Sequence, residues 1–269
     1  MGFEKILVPV DGSPLSDVAT EVAINSAKLF GSKLTFLNVV DFSSNSKFGH
    51  IENVDEILEL QTEGQKATDR VDAKAKSAGI QYETKIAQGI PWEVITKLSK
   101  SYDQIILGVT GKGGIGGRIG ETVKKVLDNS NCPVLTIKSG SRRIEYILFP
   151  VANVNEAAIR VAAETVKQVG GKLTIFVVKA EGIDEYPLME EVAARCREYG
   201  IDVETKLGEG VPAEAIAAQS GMYDLVIMGT MSKCEGKVLH DGVTQSVILN
   251  SACPVTVVRA ECKDCWCWD

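Results

Sequence analysis

A run of about 18 apolar residues, the length that suggests a membrane-spanning helix, occurs nowhere in this chain. Histidine is almost missing: His50 and His240 are the only two, they lie in different halves, and they have no metal-ligand spacing. Nucleophile elbows and Ser-His-Asp arrangements are not visible, so no hydrolase machinery declares itself. Positive charge is in deficit, with 29 Lys and Arg against 36 Asp and Glu, a net charge of −7 and a pI of about 5.1. No basic patch or stripe of the kind a nucleic-acid binder carries stands out, so nucleic acid is not an expected partner. The first residues, MGFEKILVPVDG, run straight into a strand pattern. They lack the basic start, apolar middle and small-residue cleavage site of a secretory leader, and the expectation is a cytoplasmic protein with no membrane partner.

What is present is ordinary for globular domains: 45% hydrophobic and 24% charged residues over 269 positions, enough for two small domains. Self-comparison shows that there are two. Residues 147–154 (ILFPVANV) repeat residues 6–13 (ILVPVDGS) at an offset of 147 − 6 = 141. Further on, ETKLGEGVP repeats ETKIAQGIP at 204 − 83 = 121, and the same offset aligns YDLVIMG with YDQIILG and ACPVTVVR with NCPVLTIK. The offset falls by 141 − 121 = 20, so the first repeat carries about that many extra residues, within DFSSNSKFGHIENVDEILELQTEG. The expected division is residues 1–139, 140–260 and a tail 261–269, with a small, polar join at Ser139–Arg143.

Within the first repeat, Val/Ile/Leu-rich runs at Lys5–Val10, Lys33–Val40, Ile80–Ala87, Gln104–Val109 and Val134–Lys138 alternate with helix-length segments. They read as continuous apolar strands, buried on both faces. Ser13-Pro14 suits a helix start and Gly31 a helix exit. A further helix follows Gly89-Ile90-Pro91, and another runs from Glu121 to Asn129. The fold class is therefore α/β: two tandem domains, each a five-stranded parallel sheet with helices on both faces, Rossmann-like in plan. Ligands in such sheets bind beyond the carboxyl ends of the strands, at the switch in strand order. That rule points to Asp11-Gly12-Ser13, to Val39-Val40-Asp41 and to the loop after Val109.

Seven of the 13 residues from Gly108 to Gly120 are glycine. Glycine lets backbone amides approach an anion, the helix beginning at Glu121 adds amides and dipole, and Lys112 and Arg118 supply positive charge. A solvent-exposed glycine loop with ordinary surface cations is the plainer alternative. Residues 111–116 match G-x-G-x-x-G, but the run follows a fourth strand, and the next strand ends in Lys138 rather than an acid, so it is no dinucleotide fingerprint. Ile106 stands where a Walker A loop needs glycine, and the Ser-Gly-Gly run of ATP pyrophosphatases is absent after the first strand.

The set ILVPVDGS, LNVVD, QGIP, LGVTG and NCPVLTIK resembles the universal stress protein family, twice over and across nearly the whole chain. The resemblance implies an adenine nucleotide α-hydrolase-like fold and a stress-response switch that holds ATP or AMP, with Mg²⁺ where phosphates need it. In the first repeat it implies Asp11 at the adenosine moiety, with Pro9, Val10 and Gly12 beside it, and the backbone of Val39 at adenine. Gly108 and Gly111 would lie at ribose and phosphates, and Gly120, Glu121 and Thr122 at the phosphates, where Lys112 of the loop could add its charge. Two departures bear on phosphate load: eight residues, not the family's nine, separate Gly111 from Gly120, and Glu121 replaces Ser or Thr. The resemblance also implies an internal pseudo-dimer of the two repeats, further homodimerisation, and at most slow ATP hydrolysis, for which no dedicated base is evident.

The second repeat departs further: Ala152 replaces Asp11, Ser232 replaces Gly111, and Val243 follows Gly242. The expectation is a repeat that binds no nucleotide and completes the fold. Cys132 and Cys253 read as small buried hydrophobes. In the tail, Cys262, Cys265 and Cys267 put three soft ligands within six residues, a candidate metal or redox group beside the plainer reading of an oxidation-prone end. A scaffold or partner-binding module without nucleotide chemistry is the alternative to the switch.

Overall fold

A computed structural model of the chain describes residues 2–41, 54–111, 117–140, 143–230 and 242–260. It divides into two compact units, Phe3–Gly140 and the chain from Ser141 onward. Lys112, the loop residues 231–241, both histidines and the cysteines and tryptophans of the tail lie outside the described residues.

In the first unit the elements are β1 (Lys5–Pro9), α1 (Pro14–Phe30), β2 (Lys33–Val40), α2 (Val54–Ala78), β3 (Tyr82–Gln88), α3 (Pro91–Leu98), β4 (Gln104–Gly108), α4 (Glu121–Asn129) and β5 (Val134–Ile137). The strands lie in the order β3-β2-β1-β4-β5, and the described pairings are parallel. β2 has the expected bounds, the other strand ends lie within two residues of the sequence expectation, and the helix α4 falls where it was expected. The chain leaves β1 in one direction toward β2 and β3, then returns to lay β4 on β1's other side. The switch therefore falls between β1 and β4, paired through Leu7 and Ile105.

Local chemistry explains why α1 is where it is. Ser13 caps it, its hydroxyl accepting from the Ser16 amide at 3.3 Å, and Pro14 takes the first turn. Gly31 ends it in the left-handed conformation, φ 71°, its amide donating to the Ala27 carbonyl. Ala19, Ala23 and Ala27 are buried along one face, and α1 packs on β4, β1 and β2.

The strand β3 corrects the expectation of continuous apolar burial. It lies at the edge of its unit's sheet and is mostly half-buried or exposed. Glu83 on this edge bonds Lys85 at 2.9 Å, Thr35 at 2.9 Å and Lys33 at 3.2 Å, and these partners hold its carboxyl at about 2, well below the usual range. Charge on an outer strand discourages edge-to-edge pairing with another chain.

The second unit repeats the plan: β6 (Tyr146–Pro150), α5 (Glu156–Val169), β7 (Lys172–Val178), α6 (Tyr186–Glu198), β8 (Val203–Gly208), α7 (Pro212–Gln219), β9 (Leu225–Thr230), α8 (Val243–Asn250) and β10 (Val255–Arg259), in the order β8-β7-β6-β9-β10. Most of the first repeat's extra length is helix: α2 has 25 residues and α6 has 13, a difference of 25 − 13 = 12.

Several shared motifs prove to be structural. The aspartate of each YD pair ties the start of its unit's first strand: Asp103 accepts from the Lys5 amide at 2.8 Å, and Asp224 from Tyr146 at 3.0 Å. Ser99 and Ser220 each accept a backbone amide from the turn before the Cys-Pro pair, Asn131 at 2.9 Å and Ala252 at 2.8 Å. Core volume is also traded between repeats. Gly208 faces the Phe176 ring so closely that a Cβ would overlap it, where the first repeat has Ala87 and the smaller Leu37.

Candidate functional site

At the carboxyl ends of β1 and β4 the first unit opens into a cavity of about 400 Å³. Asp11, Val39, Gly111 and Thr122 line it, and so do Pro9, Val10, Gly108, Gly120 and Glu121. A second, outer cleft of about 480 Å³ shares Asp11, Val39, Pro91, Glu121 and Thr122 with the first and continues past Asp41, Glu63, Trp92 and Lys125. Of the sequence-predicted residues, Gly12 is not in the lining; it turns the chain with φ 74°. Arg118, offered as a phosphate partner, is exposed and lines neither space.

Asp11 is held by the turn that starts α1. Its carboxylate accepts from the Ser13 amide at 2.9 Å, and its own amide donates to the Ser16 hydroxyl at 3.3 Å. This bond across two residues is the local pairing aspartate favours before a helix. The other oxygen of Asp11 lies over Gly111, where a Cβ would overlap it. Glycine at 111 therefore leaves room for the carboxylate opposite.

The glycines of the loop serve different ends. At Gly108 a Cβ would sit 2.8 Å from Leu15 Cβ and 3.0 Å from the Leu15 carbonyl atoms. Gly108 lines the cavity, but its missing side chain first admits the opening turn of α1. Gly229, its counterpart, likewise faces Asn155 and Ala158 of the second unit. This explains why that glycine persists where other residues of the pattern are gone. Gly120 caps α4 with φ −61°, a conformation open to any residue, and its amide donates to the Val109 carbonyl at 2.9 Å. Beyond it, the first amides of α4, at Glu121 and Thr122, have no partner within the helix and border the cavity.

Three functional candidates escaped the sequence reading. Asn38, 6% exposed, donates to the Val10 carbonyl at 2.7 Å and braces the strand end that leads to Asp11. Trp92 and Lys125 meet in the outer cleft, with the ammonium 4.9 Å from the ring centroid, a cation–π distance. Asn38 lies within LNVVD, and its polarity inside an apolar strand was the available signal; Trp92 and Lys125 had none, being 33 residues apart on two helices.

In the second unit the same strand ends are bridged instead. Asn155 caps α5 by accepting from the Ala158 amide at 3.0 Å, and its side-chain amide donates to the Thr230 carbonyl at 3.1 Å. Ala152 supplies no carboxylate there.

Fold and site together define a tandem pair of doubly wound α/β domains, with a crevice at the switch point of the first. The family model described as the universal stress protein family matches residues 2–138 and 177–259, and the chain belongs to that family. A universal stress protein of Methanocaldococcus jannaschii is 34% identical over 142 residues, 51% of this chain and 82% of that protein. Universal stress protein YxiE of Bacillus subtilis is 34% identical over 148 residues, 51% of this chain and 99% of its own. Each thus spans one repeat's worth. A crystal structure of a universal stress protein from Archaeoglobus fulgidus matches both repeats, with a TM-score of 0.80 and 25% identity over 97% of each chain. The stretch left unmatched by the family model, between 138 and 177, holds β6, α5 and the first five residues of β7, the part that carries Ala152.

No helix among the described residues is long and apolar enough to cross a membrane, and none of their His, Cys, Asp and Glu residues cluster as a metal site. Of the three described cysteines, Cys196 and Cys253 are buried, and Cys132, expected to be buried as well, is half-buried. Burial pushes the Cys132 thiol up to about 12, with Asp103 adding to it, and that of Cys196 up to about 11. Thiols react as thiolates. Native protein at pH 8 is therefore expected to leave Cys132 and Cys196 unmodified by iodoacetamide for hours, and denatured protein to be alkylated at both, as read by peptide mass spectrometry.

Proposed function

We propose that the first repeat binds an adenine nucleotide, ATP or AMP, and that its occupancy switches the protein's conformation or partner affinity in a stress response. Family membership supports this reading. So does the place of the cavity, beyond the carboxyl ends of parallel strands at their switch point, with a size suited to a small ligand. The observation that carries it is the pairing of Asp11 with Gly111, a carboxylate and the glycine that makes room for it, both in the lining of that cavity. The second repeat has Ala152 and Ser232 at those two places, so the proposal is one nucleotide per chain, with the second repeat completing the fold. Cytoplasmic location, association of two chains and Mg²⁺ on a bound polyphosphate belong to the same proposal, on the strength of the family resemblance.

Denaturing the purified protein and identifying what it releases, by chromatography and mass spectrometry with metal analysis of the same sample, tests it. The expected result is adenine nucleotide approaching one equivalent per chain, absent from Asp11→Ala. Empty protein that also refuses added AMP and Mg-ATP would overturn the proposal. A thiolate-bound metal in that sample would move attention to Cys262, Cys265 and Cys267.

A further inference from the structure

Resting on the nucleotide reading, a finer statement about the ligand follows from the charge of the lining. Among the described residues, the inner cavity is bordered by two carboxylates, Asp11 and Glu121, and by no Lys, Arg or His. The outer cleft is lined by Asp41, Glu63 and Lys125, whose ammonium lies over the Trp92 ring. Glu121 is the residue common to both spaces that sits at the first position of α4. A helix N-terminus attracts anions through its free amides and dipole. Here an exposed carboxylate of the protein's own already stands at that terminus, beside the amides a phosphate would use.

We infer that Glu121 is a specificity residue: it makes the first repeat select adenosine and AMP over ATP. A polyphosphate entering this cleft meets the Glu121 carboxylate with each of its charges, whereas adenosine brings none. Coulomb's law gives about a tenfold change in affinity for two unit charges roughly 10 Å apart at an effective dielectric near 20. Several phosphate charges multiply that penalty, and dissolved salt weakens it. Divalent cation bound to the phosphates offsets part of it.

Calorimetric titration of the full chain with adenosine, AMP and ATP, in chelator and then in Mg²⁺, for wild type and Glu121→Gln, reads this directly. In chelator, wild type is expected to bind ATP at least tenfold more weakly than adenosine. Glu121→Gln is expected to recover about tenfold or more for ATP, less for AMP and nothing for adenosine. The wild-type gap narrows in Mg²⁺ and at high salt. Adenosine reports that the variant is folded and its site intact. Wild type binding ATP tightest in chelator overturns the inference and leaves the nucleotide reading standing, and so does a variant that shifts all three ligands equally. Failure of both proteins to bind any of the three refutes the nucleotide reading itself.

Discussion

Gly111→Ala is expected to weaken nucleotide binding as much as Asp11→Ala does, about 10- to 100-fold, and to leave folding stability within about 0.5 kcal/mol of wild type. The magnitude is that of a hydrogen bond to a charged group, about 1.5–3 kcal/mol, converted to a dissociation constant. Gly111 is exposed and its conformation needs no glycine, so the added methyl group strains little of the fold. What it does meet is the Asp11 carboxylate oxygen that faces it, so that carboxylate must shift. The two substitutions act through one group. The double variant Asp11→Ala/Gly111→Ala is therefore expected to bind no more weakly than Asp11→Ala alone, a clear failure of additivity. Additive losses in the double variant would mean that Gly111 touches the ligand by itself. The chain contains its own precedent, since Ala152 and Ser232 change both partners together. Where the carboxylate is gone, the glycine is not needed.

Gly108→Ala should act on the fold instead, costing about 1–3 kcal/mol in urea unfolding of the first unit, the range for overpacking a tight contact. The new Cβ would press on Leu15 at its Cβ and at its carbonyl atoms, so the whole first turn of α1 must shift. That turn also carries Ser13 and Ser16, which hold Asp11, and some loss of nucleotide affinity should follow. Gly229→Ala makes a useful comparison. Its nearest neighbour would be the side-chain amide of Asn155 at 2.8 Å, which can swing away. That movement gives up both the Asn155–Thr230 hydrogen bond and the cap on α5, so a cost of about 1–3 kcal/mol is expected there too, without loss of nucleotide binding. Should Gly108→Ala prove as stable as wild type while losing ligand, that glycine serves the ligand first and the helix second.

Self-comparison of the sequence was enough to establish two copies of one α/β unit, because each copy keeps the same apolar runs in the same order. The limits of α1 and α4 were legible for the same local reason: Ser13-Pro14, Gly31 and Gly120-Glu121 act on the backbone beside them. Asp11, Val39 and the loop after β4 were placed at one end of the sheet by the rule for parallel strands, and the cavity lies there. Exposure of β3 was not legible, since a strand becomes an edge only when its neighbours are chosen. Neither was the division of labour among the glycines. Gly108 answers to Leu15, Gly111 to Asp11 and Gly208 to Phe176, and each pair is brought together only by the packing of separate elements. Trp92 and Lys125 meet across α3 and α4 on the same terms. Composition and period determine which elements form and in what order, because those depend on near neighbours along the chain. Which glycine makes room for a ligand and which for a helix is decided by the third dimension, because only there do residues distant in sequence compete for the same space.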